Sequence, residues 1–347
     1  MMGNPPETSR RKTEHIRINL EEDVRSGITT GLEHYRFSHQ ALPEINLDEI
    51  DTSVDFLDKK ISVPILISSM TGGTGEAERI NQNLAVNAEK FGLAMGVGSQ
   101  RAGLEDDSSM RTFKVRDVAP SILLFANLGA IQLNYGYTIE HCQRVVDSIG
   151  ADALILHLNP LQEGLMVNGD TRFSGLLKKI EQICRKLRVP VVVKEVGWGI
   201  HAQTAKLLVE AGVKAIDVAG AGGTSWSEVE KHRLKDEDNR KIAAAFKNWG
   251  NPTADCLVEI REKISGLPMI ASGGLRDGID IAKCLALGAS LGGLAGPFLR
   301  AAAESAETVE RQLIVIKRQL ELVMFATGSI NVQSLTNNKI HKVDAYR

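Results

Sequence analysis

The chain has 347 residues, 43% hydrophobic and 24% charged; this is the composition of an ordinary globular protein, and the length allows two domains or one large α/β barrel. Its 41 basic and 43 acidic residues leave a net charge of −2, which gives no electrostatic reason for a nucleic-acid or anionic-membrane partner. Thirty-two glycines against an aromatic share of 5% suit an α/β fold with many tight turns. Cys142, Cys184, Cys256 and Cys284 are scattered without a CxxC pair and are expected to be reduced thiols of a cytoplasmic protein.

The first 60 residues are expected to form an arm and a capping segment. Their charged start, MMGNPPETSRRKTEHIR, lacks the apolar centre of a signal peptide. Short apolar runs then recur at 64–68, 93–97, 122–126, 153–156, 190–193, 215–218, 268–271 and 290–294. Segments of helical periodicity lie between most of them, at 77–91, 139–149, 172–187, 201–211 and 279–287. Apolar strands alternating with amphipathic helices predict a parallel sheet covered by helices, and eight such units predict a closed (β/α)8 TIM barrel over 61–347. The long gap between the sixth and seventh strands holds a polar stretch, 225–249, predicted to be an insertion over the barrel mouth. The apolar stretch 285–299 is too short and too rich in Gly and Ala for a membrane span. After Gly296 the pattern predicts the eighth helix and then a polar C-terminal stretch that need not be rigid.

In such a barrel the C-terminal strand ends carry the active site. Here they read Ser68-Ser69-Met70-Thr71-Gly72-Gly73, Gly98-Ser99-Gln100-Arg101, Asn127, His157-Leu158-Asn159-Pro160-Leu161-Gln162-Glu163, Lys194-Glu195, 220–224 ending in Thr224, Ser272-Gly273-Gly274 and Ala295-Gly296. Nearly every strand ends in a hydrogen-bonding side chain or a bare glycine, which suggests one ligand spread across the mouth. Gly273, Gly274, Ala295 and Gly296 leave backbone N–H groups unobstructed, the usual barrel phosphate site. Lys194 would place a cation beside a flavin ring, where it stabilises negative charge on the reduced form. The joint placement of these signals in the expected order favours FMN, and the lack of a GxxxxGK[ST] or of a GxGxxG after a strand speaks against ATP or a Rossmann-bound dinucleotide as the main cofactor.

These strand ends, with Arg11-Lys12-x-x-His15, Lys194-Glu195-Val196-Gly197 and Gly222-Gly223-Thr224, resemble the type 2 isopentenyl-diphosphate isomerase family from about residue 10 to about residue 300. HLNPLQE is the most specific of these motifs, and none of them departs from the family pattern. The resemblance implies isomerisation of isopentenyl diphosphate to dimethylallyl diphosphate by proton addition and removal at reduced FMN, with Mg²⁺ and with NADPH as the reductant. It also implies a homo-oligomer, tetramer or octamer. Gln162 resembles the residue beside the reacting carbons, and Glu163 the Mg²⁺ ligand. Arg101, His157 and Asn159 resemble the diphosphate contacts, His157 as a cation or a neutral donor; Ser99 is placed at both substrate and cofactor. Arg11, Lys12 and His15 are implied to clamp the diphosphate, on an arm expected to order only with substrate. Ser68, Ser69, Met70, Thr71, Asn127, Lys194 and Thr224 join the glycine sites around FMN.

Two other classes fit less well. An FMN barrel that oxidises 2-hydroxy acids needs a base late in the barrel, and neither 220–224 nor 272–274 contains a histidine. A flavin store or sensor would have no need of Gln162 and Glu163 beside a basic site.

Overall fold

Residues 7–335 and 339–343 are described by the computed structural model; the first six residues of the arm and the last four of the tail lie outside them. The strands are β1 (Tyr35–Phe37), β2 (Val54–Phe56), β3 (Lys59–Ile61), β4 (Ile65–Ile67), β5 (Ala94–Gly96), β6 (Leu123–Gly129), β7 (Ala153–His157), β8 (Val191–Lys194), β9 (Ala215–Asp217), β10 (Met269–Ala271), β11 (Leu291–Leu294) and β12 (Ile340–Lys342). β4 to β11 pair in parallel and close on themselves, β11 against β4. This is the (β/α)8 barrel expected from the eight apolar runs.

The strands read as continuous apolar runs because their two faces serve two cores. Leu66, Ala94, Leu123, Phe125, Ala153, Ile155, Val192, Ala215, Ile270 and Leu291 fill the barrel interior. Ile65, Ile67, Leu154, Leu156 and Val193 face outward to the helix layer. The antiparallel hairpin β2–β3 adds Phe56 and Ile61 to the interior set, so the segment before the barrel supplies its plug.

The helices are α1 (Glu7–Glu21), α2 (Gly75–Phe91), α3 (Arg101–Glu105), α4 (Asp107–Met110), α5 (Ile139–Ile149), α6 (Pro160–Leu165), α7 (Leu176–Lys186), α8 (Ala202–Glu210), α9 (Trp226–Arg233), α10 (Glu237–Ala244), α11 (Thr253–Lys263), α12 (Gly278–Ala286), α13 (Gly296–Glu304), α14 (Ala306–Ala326) and α15 (Val332–Leu335). The insertion is helical, α9 then α10, and α11 behind it is the barrel's own sixth helix, which the sequence reading did not separate from the gap. None of the helices of the described residues is long and apolar enough to cross a membrane.

One expectation is corrected. The stretch after the eighth helix is not simply polar: α14 runs 21 residues and buries Val309, Leu313, Ile316, Leu320 and Met324 against α12, α13 and α2. Its charged residues mask that stripe in a plain count of polarity. Residues 7–21 of the arm form the helix α1. α1 buries Ile16 and Ile18, and Ile18 packs with Val24, Val229 and Trp226 of the insertion.

Candidate active site

The first barrel strand delivers a row of hydroxyls. Ser68, Ser69 and Thr71 follow β4, and their side-chain oxygens are buried without a hydrogen-bond partner among the described residues. A buried hydroxyl left unpaired costs on the order of 1–3 kcal/mol, so three in one turn mark a place where a polar ligand completes the structure. A Cβ at Gly96 would lie 2.5 Å from Ser69 Oγ, and one at Gly293 2.8 Å from Ser68 Oγ. Those neighbouring strands are glycine where the hydroxyls need room.

The fourth strand end carries the densest polar cluster. β7 stops at His157, and α6 begins at Pro160, whose fixed φ suits a first helical position. This tight start turns Gln162 and Glu163 inward and buries both. Asn159 Nδ2 donates to Gln162 Oε1 at 3.2 Å and to Glu163 Oε1 at 2.9 Å. Gln162 Nε2 donates to Glu230 Oε1 at 3.0 Å, so both ends of the amide are fixed. Glu163 Oε2 accepts the N–H of Asp170 at 2.7 Å. Each Glu163 oxygen retains acceptor capacity for a cation. Among the described residues no group of three or more His, Cys, Asp or Glu could hold a metal by itself, so an ion at Glu163 would complete its shell with ligand oxygens or water.

Glu230, on α9, was missed in the sequence. It is 1% exposed and receives His15 Nε2 at 3.2 Å, Gln162, and Arg233 Nη1 at 2.6 Å. Burial raises its pKa, but the contacts with His15, Arg233 and Gln162 outweigh that and hold it at about 2. The carboxylate is therefore ionised and accepts only, which makes His15 Nε2 the donor. His15 itself is shifted down, chiefly by burial and against the pull of Glu230, and its ring meets Trp226 edge-on with centroids 5.0 Å apart. Within the seven residues SEVEKHR nothing marks this glutamate from its charged neighbours; only the docking of α9 on α6 and α1 singles it out.

Cations ring the same cavity, which has a volume of about 110 Å³ and is lined by Arg11, Lys12, Arg101 and Lys194 as well as His15, Ser69, Met70, Ser99, Asn127, His157, Asn159, Gln162 and Glu163. Loss of water around Lys12, and then the charge of Arg11, lower the Lys12 pKa to about 8. Arg101 is held by Glu105 at 2.7 Å and Asp170 at 2.8 Å. His157 Nδ1 lies 2.8 Å from Asn127 Oδ1. Burial, followed by the charges of Lys12, Lys194 and Arg11, takes His157 down to about 3, so it is neutral.

Thr224 and Gly296 fall on a second cavity of about 440 Å³, whose charged lining is mixed: Arg25 and Arg300 with Glu21, Glu22 and Asp23. Gly296 opens α13, Ala295 provides no side-chain cap, and a Cβ at Gly296 would meet nothing within 4 Å. An uncapped helix N-terminus facing space suits a phosphate. Gly273 and Gly274 have a further, steric reason to be glycine. Both take positive φ, and a Cβ at Gly273 would come within 2.0 Å of the Gly220 carbonyl oxygen. Thus the first cavity gathers most of the predicted residues and the second only Thr224 and Gly296, while Ser68, Thr71, Gly273, Gly274 and Ala295 line neither. These unpaired hydroxyls, the strand-end cation Lys194 and the open helix start form a donor set that fits a flavin mononucleotide.

Barrel and site together define an enzyme of the FMN-binding TIM-barrel class. The FMN-dependent dehydrogenase family matches residues 159–342. In fold the chain is similar to mandelate oxidase solved with benzoyl-formic acid, with a TM-score of 0.70 at 18% identity over 97% of each chain. In sequence it is far nearer to isopentenyl-diphosphate delta-isomerases. That of Nostoc sp. is 52% identical over 342 residues, 96% of this chain and 98% of the relative. Those of Synechococcus sp. and Rickettsia bellii are 53% and 51% identical, over 92% and 94% of this chain and 92% and 95% of theirs. The chain belongs to the FMN-dependent, type 2 isopentenyl-diphosphate delta-isomerase family.

Proposed function

We propose that this chain converts isopentenyl diphosphate to dimethylallyl diphosphate, adding a proton at the terminal alkene carbon and removing one from C2, with no net redox change. The observation that carries the proposal is Gln162, a buried carboxamide at the cavity, pinned between Asn159 and the ionised Glu230. Reduced FMN, when bound, supplies an electron-rich, water-free face for the developing carbocation and a site for proton exchange. Gln162 orients the alkene and the transferred proton. Asn159 and Glu230 keep its amide from rotating, so its oxygen and N–H cannot exchange places.

Arg11, Lys12 and Arg101 bind the diphosphate, with Ser99, His157 and Asn159 as neutral partners. Arg101 contributes a planar fork, and Glu105 and Asp170 hold that fork in place before the ligand arrives. Glu163 shares a Mg²⁺ ion with the diphosphate. Ser68, Ser69, Met70, Thr71, Asn127 and Lys194 hold the ring and ribityl chain, while Thr224, Gly273, Gly274, Ala295 and Gly296 hold the FMN phosphate. NADPH is the reductant that primes the cofactor; the enzyme works in the cytoplasm as a homo-oligomer. The arm and cap of residues 1–60 serve the barrel of 61–347.

The test is an anaerobic assay of purified protein with isopentenyl diphosphate, FMN and Mg²⁺. Product is expected only after reduction by NADPH or dithionite, with no further NADPH consumed per turnover. One NADPH oxidised per product would make the chain a reductase and end this reading.

A further inference from the structure

The buried carboxylate paired with Lys194 has no role in the reaction above. Lys194, at the end of β8, places Nζ 3.1 Å from Asp217 Oδ2, on β9, and 3.2 Å from Ser272 Oγ, after β10. Ser272 Oγ in turn donates to Asp217 Oδ1 at 2.6 Å, and the N–H of Ala219 reaches the same oxygen at 3.3 Å. A serine hydroxyl has one proton, and here it goes to the carboxylate, so Oγ can only accept from Lys194. The direction of the ring is therefore fixed: ammonium to hydroxyl to carboxylate.

Stability does not explain this arrangement, since a buried ion pair gains little over well-packed apolar side chains. Placement does. Lys194 reaches the cavity, whereas Asp217 is 0% exposed and does not line it. The pair is a dipole whose positive end faces the cofactor cavity and whose negative end is sealed in the barrel. Low local polarity lets both charges act over the cavity.

We propose that Asp217 is a positioning residue that sets the reduction potential of bound FMN, by fixing the direction of Lys194 and opposing part of its charge. The proposal rests on the FMN reading given above. Lys194 alone would favour the electron-rich reduced ring; the carboxylate behind it limits that preference. An isomerase whose cofactor stays reduced through turnover depends on where this balance lies.

The experiment is a spectroelectrochemical titration of the FMN-loaded full chain, with FMN occupancy measured first. Asp217→Asn keeps the shape and removes the opposing charge, so its midpoint potential should move positive, raising the reduced-to-oxidised ratio at fixed poise about tenfold or more. Lys194→Gln should move it negative. Lys194→Gln leaves Asp217 a buried carboxylate without its cation, which would take up a proton, so the double variant, which buries no unpaired charge, should lie close to Lys194→Gln and below the wild type. An Asp217→Asn potential at or below the wild-type value, or a double variant at or above the wild-type value, overturns the proposal with FMN still bound. A wild-type chain that takes up no FMN overturns the cofactor reading and this proposal with it.

Discussion

Lys12 sits partly buried beside Arg11 at the cavity, and its placement has a cost that depends on pH. A lysine whose folded pKa drops from 10.5 to about 8 destabilises the folded state below that lower value, and the penalty is relieved as pH rises from about 8 to 10.5. Substrate binding runs the other way, because a diphosphate needs the charged form. KM for isopentenyl diphosphate is therefore expected to rise as pH passes 8 while kcat changes less, and Lys12→Gln should flatten that limb. A KM independent of pH between 7 and 9 in the wild type would remove Lys12 from the diphosphate site. Gln162 and Glu230 make a second residue-scale case. Gln162→Asn withdraws the amide by one methylene, which should lower kcat roughly 10²-fold with KM nearly intact. Glu230→Gln lets the Gln162 amide rotate and leaves Arg233 without its buried partner, so it should lower kcat similarly. The double variant should be little worse than either single one if the two act as a unit. Full additivity in the kinetics would separate them. The first of these residues was legible in the sequence and the second was not. Gln162 lies inside HLNPLQE, a contiguous motif at a strand end, whereas Glu230 gains its role from α1 and α6, about 215 and 68 positions away in the chain.

At the scale of elements, the loop after α6 joins the Glu163 carboxylate to the Arg101 guanidinium. Asp170 donates its N–H to Glu163 Oε2, while its own carboxylate holds Arg101 Nη1 at 2.8 Å and Gln132 Nε2 at 2.9 Å. The chain reaches that position by folding back on itself at Gly169, where a Cβ would stand 1.9 Å from the Glu163 carbonyl oxygen. Gly169→Ala must push the loop outward. It is expected to raise both the KM for substrate and the Mg²⁺ concentration needed for half-maximal activity, with the melting temperature shifted by only a few degrees. Unchanged values for both would show that Asp170 does not couple the two sites. The barrel strands were readable because burial on both faces makes each a short apolar run. The loop around Asp170 was not, since its order comes from contacts among polar side chains that leave no periodic trace. α14 shows a third case: its buried stripe at Val309, Leu313, Ile316, Leu320 and Met324 has helical spacing, but dense charge between those positions hides it from an average over the segment.

Over the whole molecule, the cavity belongs to no single part of the chain. The barrel supplies Gln162, Arg101 and Lys194, the insertion supplies Trp226 and the neighbouring Glu230, and the arm supplies Arg11, Lys12 and His15. The arm is fastened by Ile18 against Val24, Val229 and Trp226, by Ile16 in the main core, and by Arg233 Nε to Glu14 at 3.0 Å. Burying two isoleucines is worth about 3–6 kcal/mol against leaving them in water, enough to hold a 15-residue helix that would be marginal alone. Ile18→Asp places a charge in the small cluster and should free the arm without unfolding the barrel, whose interior shares no side chain with it. The expected signature has three parts. A protease should cut within the first 25 residues much faster than in the wild type, FMN should remain bound, and kcat/KM should fall by about 10²-fold or more because the diphosphate cations and the His15 contact to Glu230 are lost together. Rapid cleavage of the ligand-free wild-type arm, slowed only by added substrate, would instead show that the helix docks on binding, as the family resemblance implies. If the arm is already docked, substrate should change the cleavage rate little.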